Sequence, residues 1–267
     1  MNIVRQNSKT IKTLAKSLLK GKWVKSVVSC AIMSLLVSFT VNIPTILKLP
    51  ESPLTIYGPL VFDILVFGAL YVGKAKYFLQ LTRSLPCSLS DFFVGFKFYG
   101  KALFLGVFIY CIYYFTRLSL LISILMMVAL LKYGLAFFIL VDNPEKSVSQ
   151  CLLESNYLMR GNKMALFKLA LSFLALLIIT SIPSAIVAGY AMSGVGEIDI
   201  TSVEAVASYA AEAYKRVVPY YLLSQSFAAI PEVYFLSSVA LFYDIIIGNL
   251  SFERSAEAYS PDNYNNV

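Results

Sequence analysis

Long apolar runs alternate with short polar stretches from residue 23 to residue 248. A helix crosses the hydrocarbon core of a bilayer with about 20 residues, so run length sets the number of crossings. Runs 23–47 and 55–79 each predict one span, joined by the turn KLPESPL at 48–54 with its two prolines. Residues 101–141 are apolar almost without a break. A single helix over that run would be about 60 Å long, about twice the thickness of the core. Two spans, 101–118 and 121–141, with a turn near 116–123, fit better. Residues 164–192 predict a fifth span, and 217–248 a sixth. The expected fold is all-α: a polytopic membrane helical bundle of six transmembrane helices, arranged as three hairpins in a single domain, 1–267.

The polar stretches also have a pattern. In 8–20, Ile11, Leu14, Ala15 and Leu18 fall on one helical face, and Lys9, Lys12, Lys16 and Lys20 on the other. That arrangement suits a helix lying on an anionic membrane surface. In 144–160, Val148, Cys151, Leu152, Ser155 and Met159 form one stripe, with Ser149, Gln150, Glu154 and Asn156 around the opposite side. Asn143 reads as an N-cap, with Pro144 at the first helical position. Three such stretches end in glycine before an apolar run: KSLLKGKWV at Gly21, GFKFYGKAL at Gly100 and NYLMRGNKM at Gly161. A glycine there relieves left-handed strain at a helix C-cap. Each hairpin is therefore expected to follow a cytoplasmic interfacial amphipathic helix. The outer segment 193–216 is different, with Glu197, Asp199, Glu204 and Glu212; Thr201 and Glu204 read as a capping box for an Ala-rich helix that runs toward the sixth span.

Charge fixes the orientation. Of the 22 Lys and Arg residues, seventeen fall on one side of this six-span arrangement and four on the other, with Lys132 inside a span. The positive-inside rule then puts both termini in the cytoplasm. A net charge of +7 is accounted for by that asymmetry, and nucleic acid is not an expected partner. Composition agrees with the membrane class: 58% hydrophobic, 14% charged and a mean hydropathy of +0.74. The sequence has no histidine, and its four cysteines (Cys30, Cys87, Cys111 and Cys151) form no metal-ligand spacing. No HExxH, GxSxG or Walker loop occurs, so neither an enzyme nor a cofactor is expected.

Several motifs resemble the domain of unknown function 975 family of bacterial integral membrane proteins. They are Leu19-Lys20-Gly21-Lys22-Trp23; Gly68-Ala69-Leu70 followed by Gly73, Ala75 and Tyr77-Phe78-Leu79; and Ser90-Asp91-Phe92-Phe93 with Gly95-Phe96 and Tyr99-Gly100. They continue with Asp142-Asn143-Pro144, Ser155, Leu158-Met159-Arg160-Gly161-Asn162-Lys163, Leu166-Phe167 and the closing pair Phe242-Tyr243. The resemblance covers most of residues 10–190 and implies a multi-pass protein of a bacterial plasma membrane, with no activity attached. The sequence departs from the family pattern at 116–125, which lacks a Pro-Gly turn, and at Ala69, where the family tends to have proline.

Ionisable and polar groups within apolar helices are the leads to function, because each is costly to place in hydrocarbon. Lys132, Glu232, Asp63, Asp244 and Gln225 form a candidate intramembrane polar site, with Lys132 and Glu232 at similar depth and available as an ion pair. Pro231 is expected to kink the sixth span beside Glu232. Ser149, Gln150, Glu154 and Arg160 mark 144–160 as a candidate cytoplasmic docking helix. Two functions follow. The first is a non-catalytic membrane module acting through protein, peptide or lipid contacts, with the bilayer and a membrane or ATPase protein or a peptide as partners. The second is a transporter or permease subunit with a polar site around Lys132 and Glu232.

Overall fold

The computed structural model describes residues 3–4, 6–50, 52–116, 120–192 and 202–249. Arg117, the acidic segment 193–201 with Thr201, and the tail from residue 250 with Arg254 lie outside the described residues. Helices make up the fold, with no strand among the described residues. Six helical stretches are long and apolar enough to cross a membrane: Trp23–Ile46, Pro53–Thr82, Leu89–Phe115, Leu125–Asp142, Lys163–Pro183 and Phe227–Ile247. Their outward faces carry large apolar side chains. On the first stretch Val24, Val28, Ile32, Leu36 and Phe39 are all exposed at helical spacing, the surface that lipid rather than water would cover. The chain is a multi-pass membrane protein.

The α-helices in chain order are α1 (Ser8–Leu18), α2 (Trp23–Ile46), α3 (Pro53–Thr82), α4 (Tyr99–Phe115), α5 (Leu120–Tyr133), α6 (Ala136–Asp142), α7 (Val148–Leu158), α8 (Lys163–Leu171), α9 (Leu174–Met192) and α10 (Val203–Ile247). A 3-10 helix, Leu89–Phe98, precedes α4. The chain divides into two compact units. One comprises Met1–Trp23, Ile64–Ser172 and Tyr234–Val267; the other comprises Val24–Asp63 and Phe173–Val233.

Unit one is built on very close backbone contact. A Cβ added at Gly68 on α3 would land on the Ala102 carbonyl of α4, and one at Gly106 would land on the Gly68 Cα. Small residues spaced four apart, Ala102 and Gly106, give α4 a groove for α3. The 3-10 helix uses the same face one turn on. A Cβ at Gly73 would strike the Phe92 carbonyl, and one at Gly95 would strike the Ala69 carbonyl. Ala69 is itself fully buried in that contact, which suits a small side chain.

Two predicted spans are interrupted. The run 121–141 is divided at Gly134–Leu135 into α5 and α6, and 164–192 at Ser172–Phe173 into α8 and α9. A helix break in an apolar layer leaves backbone groups without partners, and here side chains supply them. The Ser155 hydroxyl of α7 donates to the Lys132 carbonyl at 2.8 Å and accepts from the Leu135 N–H at 3.3 Å. The Lys12 ammonium of α1 donates to the Ser172 carbonyl at 3.0 Å.

The polar helices α1 and α7 are copies of one design, 140 residues apart in sequence. Asn7 and Ser147 are their N-caps, and each helix has 11 residues. Ile11, Ala15, Leu18 and Leu19 are buried in the first, and Cys151, Ser155, Leu158 and Met159 in the second. Each ends in a turn closed from Lys22 N–H to the Leu19 carbonyl, or from Asn162 N–H to the Met159 carbonyl. Gly21 (φ 76°) and Gly161 (φ 78°) occupy the left-handed position of these turns. The N-terminal strand of chain is fastened to the second turn, with Val4 N–H donating to Asn162 Oδ1 at 2.9 Å.

Two local expectations need correction. Gly100 is no hinge: it lies inside α4, without a positive φ, and the 3-10 helix passes into α4 at Tyr99. Asn143 does not cap α7. Ser147 does, because Gln150 three residues on completes a capping box, with Ser147 N–H donating to Gln150 Oε1 at 2.8 Å. Asn143 instead closes the preceding turn, accepting from Lys146 N–H. At α10 the Ser202 side chain accepts from Ala205 N–H at 3.1 Å, while the expected Thr201–Glu204 box lies outside the described residues. From there α10 continues through Pro219 and Pro231 as one 45-residue helix.

An arginine clamp and a polar cavity as candidate functional sites

Where α3, α6 and α10 end, unit one gathers a charged cluster that apolar helices would otherwise exclude. Arg83 follows directly on α3. Its Nη1 and Nη2 donate to the two carboxylate oxygens of Asp142, both at 2.7 Å. Its Nη2 and Nε also donate to Asp244 Oδ1, at 2.6 and 3.1 Å. A guanidinium presents a planar fork of donors, and here both edges of the fork hold a carboxylate. Asp244, in the last turns of α10, has no exposed side-chain surface, whereas Arg83 and Asp142 are 27% and 20% exposed.

Neutral groups complete the cluster. Thr82 Oγ1 donates to Asp244 Oδ2 at 2.9 Å, and Tyr243 Oη donates to Asp142 Oδ2 at 3.2 Å. The Tyr243 ring stacks on Phe138, with centroids 5.7 Å apart. The hydrogen bonds to Asp142, with Asp244 adding to them, outweigh the opposing effect of burial and hold the Arg83 guanidinium above its ordinary pKa. The cluster is therefore a fixed charge arrangement of one cation between two acids. It ties three helix ends together at their margins, where a single missing partner would leave a buried charge uncompensated. Lys101 of α4 reaches the adjoining turn and donates to the Pro144 and Glu145 carbonyls at 2.6 and 3.1 Å.

Unit two contains a cavity of about 320 Å³ lined by Val37, Ser38, Val41 and Asn42 of α2, Asp63 of α3, and Val217 and Val218 of α10. The Asn42 side chain is buried and its Nδ2 donates to the Ser38 carbonyl at 2.7 Å. The lining is apolar with a few polar groups, and the volume lies at the small end of the range for ligand pockets.

The residues singled out from sequence separate accordingly. Asp244 enters the arginine clamp, and Asp63 enters the cavity. Lys132 ends α5 in unit one, whereas Glu232 lies in unit two next to the buried Pro231. Gln225 is on α10, and its side chain lies outside the described residues. On α7, Gln150 serves the capping box and the Ser149 hydroxyl lies 3.0 Å from that of Ser147. Glu154 pairs with Lys146 at 2.6 Å. Arg160 is exposed and lies over the Tyr157 ring, 5.8 Å from its centroid.

Sequence reasoning missed Arg83 because it stands outside the apolar run and reads as one more basic residue of a cytoplasmic segment. Asp142 has the same difficulty at the end of another run. Asp142 stands in the Asp142-Asn143-Pro144 motif, and the signal that joins it to Arg83 and Asp244 is position: all three lie near the same predicted membrane face. Among the described residues, no three His, Cys, Asp or Glu side chains gather as metal ligands. No family model matches the chain, and neither a curated protein nor a solved structure matches it.

Proposed function

We propose that this chain is a non-catalytic module of a bacterial plasma membrane that acts by contact, with α7 as a docking helix for a membrane-associated protein or peptide. The observation that carries the reading is the two-sidedness of α7. Cys151, Ser155 and Leu158 are buried in unit one, while Leu153 and Tyr157, one turn apart, are 68% and 53% exposed. With Arg160 over the Tyr157 ring, the outer face offers apolar, aromatic and cationic contact at once, the composition enriched in interface hot spots.

The wider arrangement belongs to the same proposal. Six spans pair as three hairpins, each preceded by an interfacial helix, and both termini are cytoplasmic. Lipid contact is supported by the face of α1 with Lys9, Lys16 and Lys20 exposed. The resemblance to the domain of unknown function 975 family is part of this reading. It is supported by the way its motif residues converge in unit one: Asp142 with Tyr243, and Gly68, Gly73 and Gly95 in backbone contact.

A photo-crosslinker introduced at Leu153 in cells tests the docking role. A discrete protein or peptide adduct is expected from position 153 and not from the inward Cys151. Recovery of only the uncrosslinked chain, or of lipid adducts alone, would remove α7 as a docking helix. The second reading, a transporter or permease subunit using Lys132 and Glu232, is supported by ionisable groups on apolar helices. It requires Glu232→Gln to abolish flux or resistance while membrane expression stays normal.

A further inference from the structure

We propose that one face of the 3-10 helix, formed by Phe93, Phe96 and Tyr99, is a phospholipid anchor. It seats in the boundary between headgroups and acyl chains of one leaflet, so that the membrane crossing begins only at α4. This rests on the proposed interfacial helices and uses none of the residues of the α7 docking role.

The helix itself is the first argument. With three residues per turn, side chains three apart eclipse, so a 3-10 helix has three distinct faces. One face packs: Phe92 and Gly95 are buried, in backbone contact with Gly73 and Ala69 of α3. One is polar: Asp91 accepts from the Ser88 N–H at 2.7 Å, and Lys97 is exposed. The third is a column of rings. Phe93 and Phe96 have centroids 6.3 Å apart, and Phe96 and Tyr99 have centroids 5.9 Å apart with an interplanar angle of 4°. Phe93 and Phe96 are nonetheless 48% and 42% exposed. Rings that the backbone aligns but the protein does not cover mark a contact surface for an apolar or amphipathic partner.

The second argument is level. Within unit one, α3 passes from exposed apolar side chains at Leu65 and Tyr71 to Lys74 and Lys76. In a spanning helix such a change marks the headgroup layer. The contacts of Phe92 with Gly73 and of Gly95 with Ala69 put the 3-10 helix beside that change. Tyr99 Oη donates to the Leu65 carbonyl at 3.1 Å, which sets the last ring of the column on the apolar side.

Continuity is the third argument. The exposed side runs on into α4 through Gly100, Phe104 and Phe108, at a spacing of four residues. The 17 residues of α4 extend about 26 Å, close to the roughly 30 Å of a hydrocarbon core, so the core is crossed without the 3-10 helix. A water-soluble partner on the column would have to abut the apolar surface of α4. A phospholipid matches both, with its chains along Phe104 and its glycerol and headgroup beside Phe93 and Lys97.

The test places the photoreactive analogue benzoylphenylalanine at position 93 or 96 of the full chain in native membranes. Irradiation should add the mass of one phospholipid from either position. An adduct with a second copy of the chain or with another protein, or no lipid adduct from either position, would overturn the proposal. Depth is read in nanodiscs from Phe96→Trp in a Trp23→Phe background, which leaves one tryptophan. Phospholipids brominated near the glycerol end of their chains should quench it more than those brominated near the methyl end. The reverse order, or no quenching by either, would also overturn the proposal. Lys97→Cys separates the anchor from the interfacial position on which it rests: a water-soluble maleimide should label it. Labelling there without a lipid adduct at 93 or 96 would leave an interfacial helix and remove the anchor, whereas no labelling would remove both.

Discussion

Arg83 Nη2 lies 2.6 Å from Asp244 Oδ1, and the Asp244 side chain has no exposed surface. An acid so placed depends on that one guanidinium for its charge balance. Arg83→Ala should therefore destabilise the protein by about 3–5 kcal/mol, the cost of leaving a buried charge unpaired. Arg83→Lys should recover only part of this, since one ammonium cannot fork to Asp142 and Asp244 together. Asp142→Asn should be milder than Arg83→Ala, because the Asp244 contacts survive. Thermal unfolding of the detergent-solubilised protein would rank the three. Equal melting points for Arg83→Ala and wild type would show that the clamp contributes nothing.

Gly68 and Gly106 meet backbone to backbone, so any side chain there must push α3 and α4 apart. Gly68→Val or Gly106→Val should cost about 1–3 kcal/mol or more and lower the yield of folded protein. Gly100 makes the control. It is helical and has open space where a Cβ would sit. Gly100→Ala should be neutral or stabilising by about 0.5–1 kcal/mol. Size-exclusion profiles of tagged variants would separate the two classes.

Ser155 serves both sides of the α5–α6 break. Ser155→Ala strands the Leu135 N–H and frees the Lys132 carbonyl, at a cost of about 1–3 kcal/mol for buried groups left unmatched. Hydrogen exchange should then rise at Leu135 and its neighbours before it rises elsewhere. Unchanged protection at Leu135 would mean that the break is held by other contacts.

Gly21 and Gly161 hold the same left-handed conformation at the ends of matching helices. Gly21→Ala and Gly161→Ala should each cost about 1–2 kcal/mol, and by similar amounts, because the strain is that of the backbone. A large effect of one and none of the other would argue against equivalence of the two turns.

Burial pushes the Cys151 thiol above its ordinary range, with Glu154 adding to the effect. The folded state therefore keeps its proton to higher pH than the unfolded chain. Above about pH 9 the unfolded state binds fewer protons, so this residue should lower stability as pH rises. Cys151 should also resist alkylation at neutral pH, whereas a Leu153→Cys thiol should react readily. Fast labelling of Cys151 in the native protein would contradict its burial.

Much of this was legible from residue pattern. The six apolar helices follow from run length, since only about 20 apolar residues satisfy both a bilayer and the backbone. The α1 and α7 stripes were legible for a related reason: a period of 3.6 residues puts Ile11 with Ala15, and Cys151 with Ser155, on one face. Gly21 and Gly161 could be placed at positive φ because a helix end has few other ways to reverse, whereas Gly100, expected by the same reasoning, lies inside α4. The caps were harder. Ser147 and Asn143 both have the chemistry, and only the register of the helix chooses between them.

The sequence by itself determined that the chain enters a membrane, where its long helices lie and which faces of the short helices are apolar. These follow from the cost of exposing backbone and charge to hydrocarbon, which each segment meets on its own. Tertiary structure decided where the helices break and which charges meet. The α5–α6 break is stable because Ser155, some twenty residues away in sequence, fills it. Arg83 finds Asp142 and Asp244, at separations of 59 and 161 residues, only when three helix ends converge. Pairing energy depends on distance in space, and no local pattern encodes that distance.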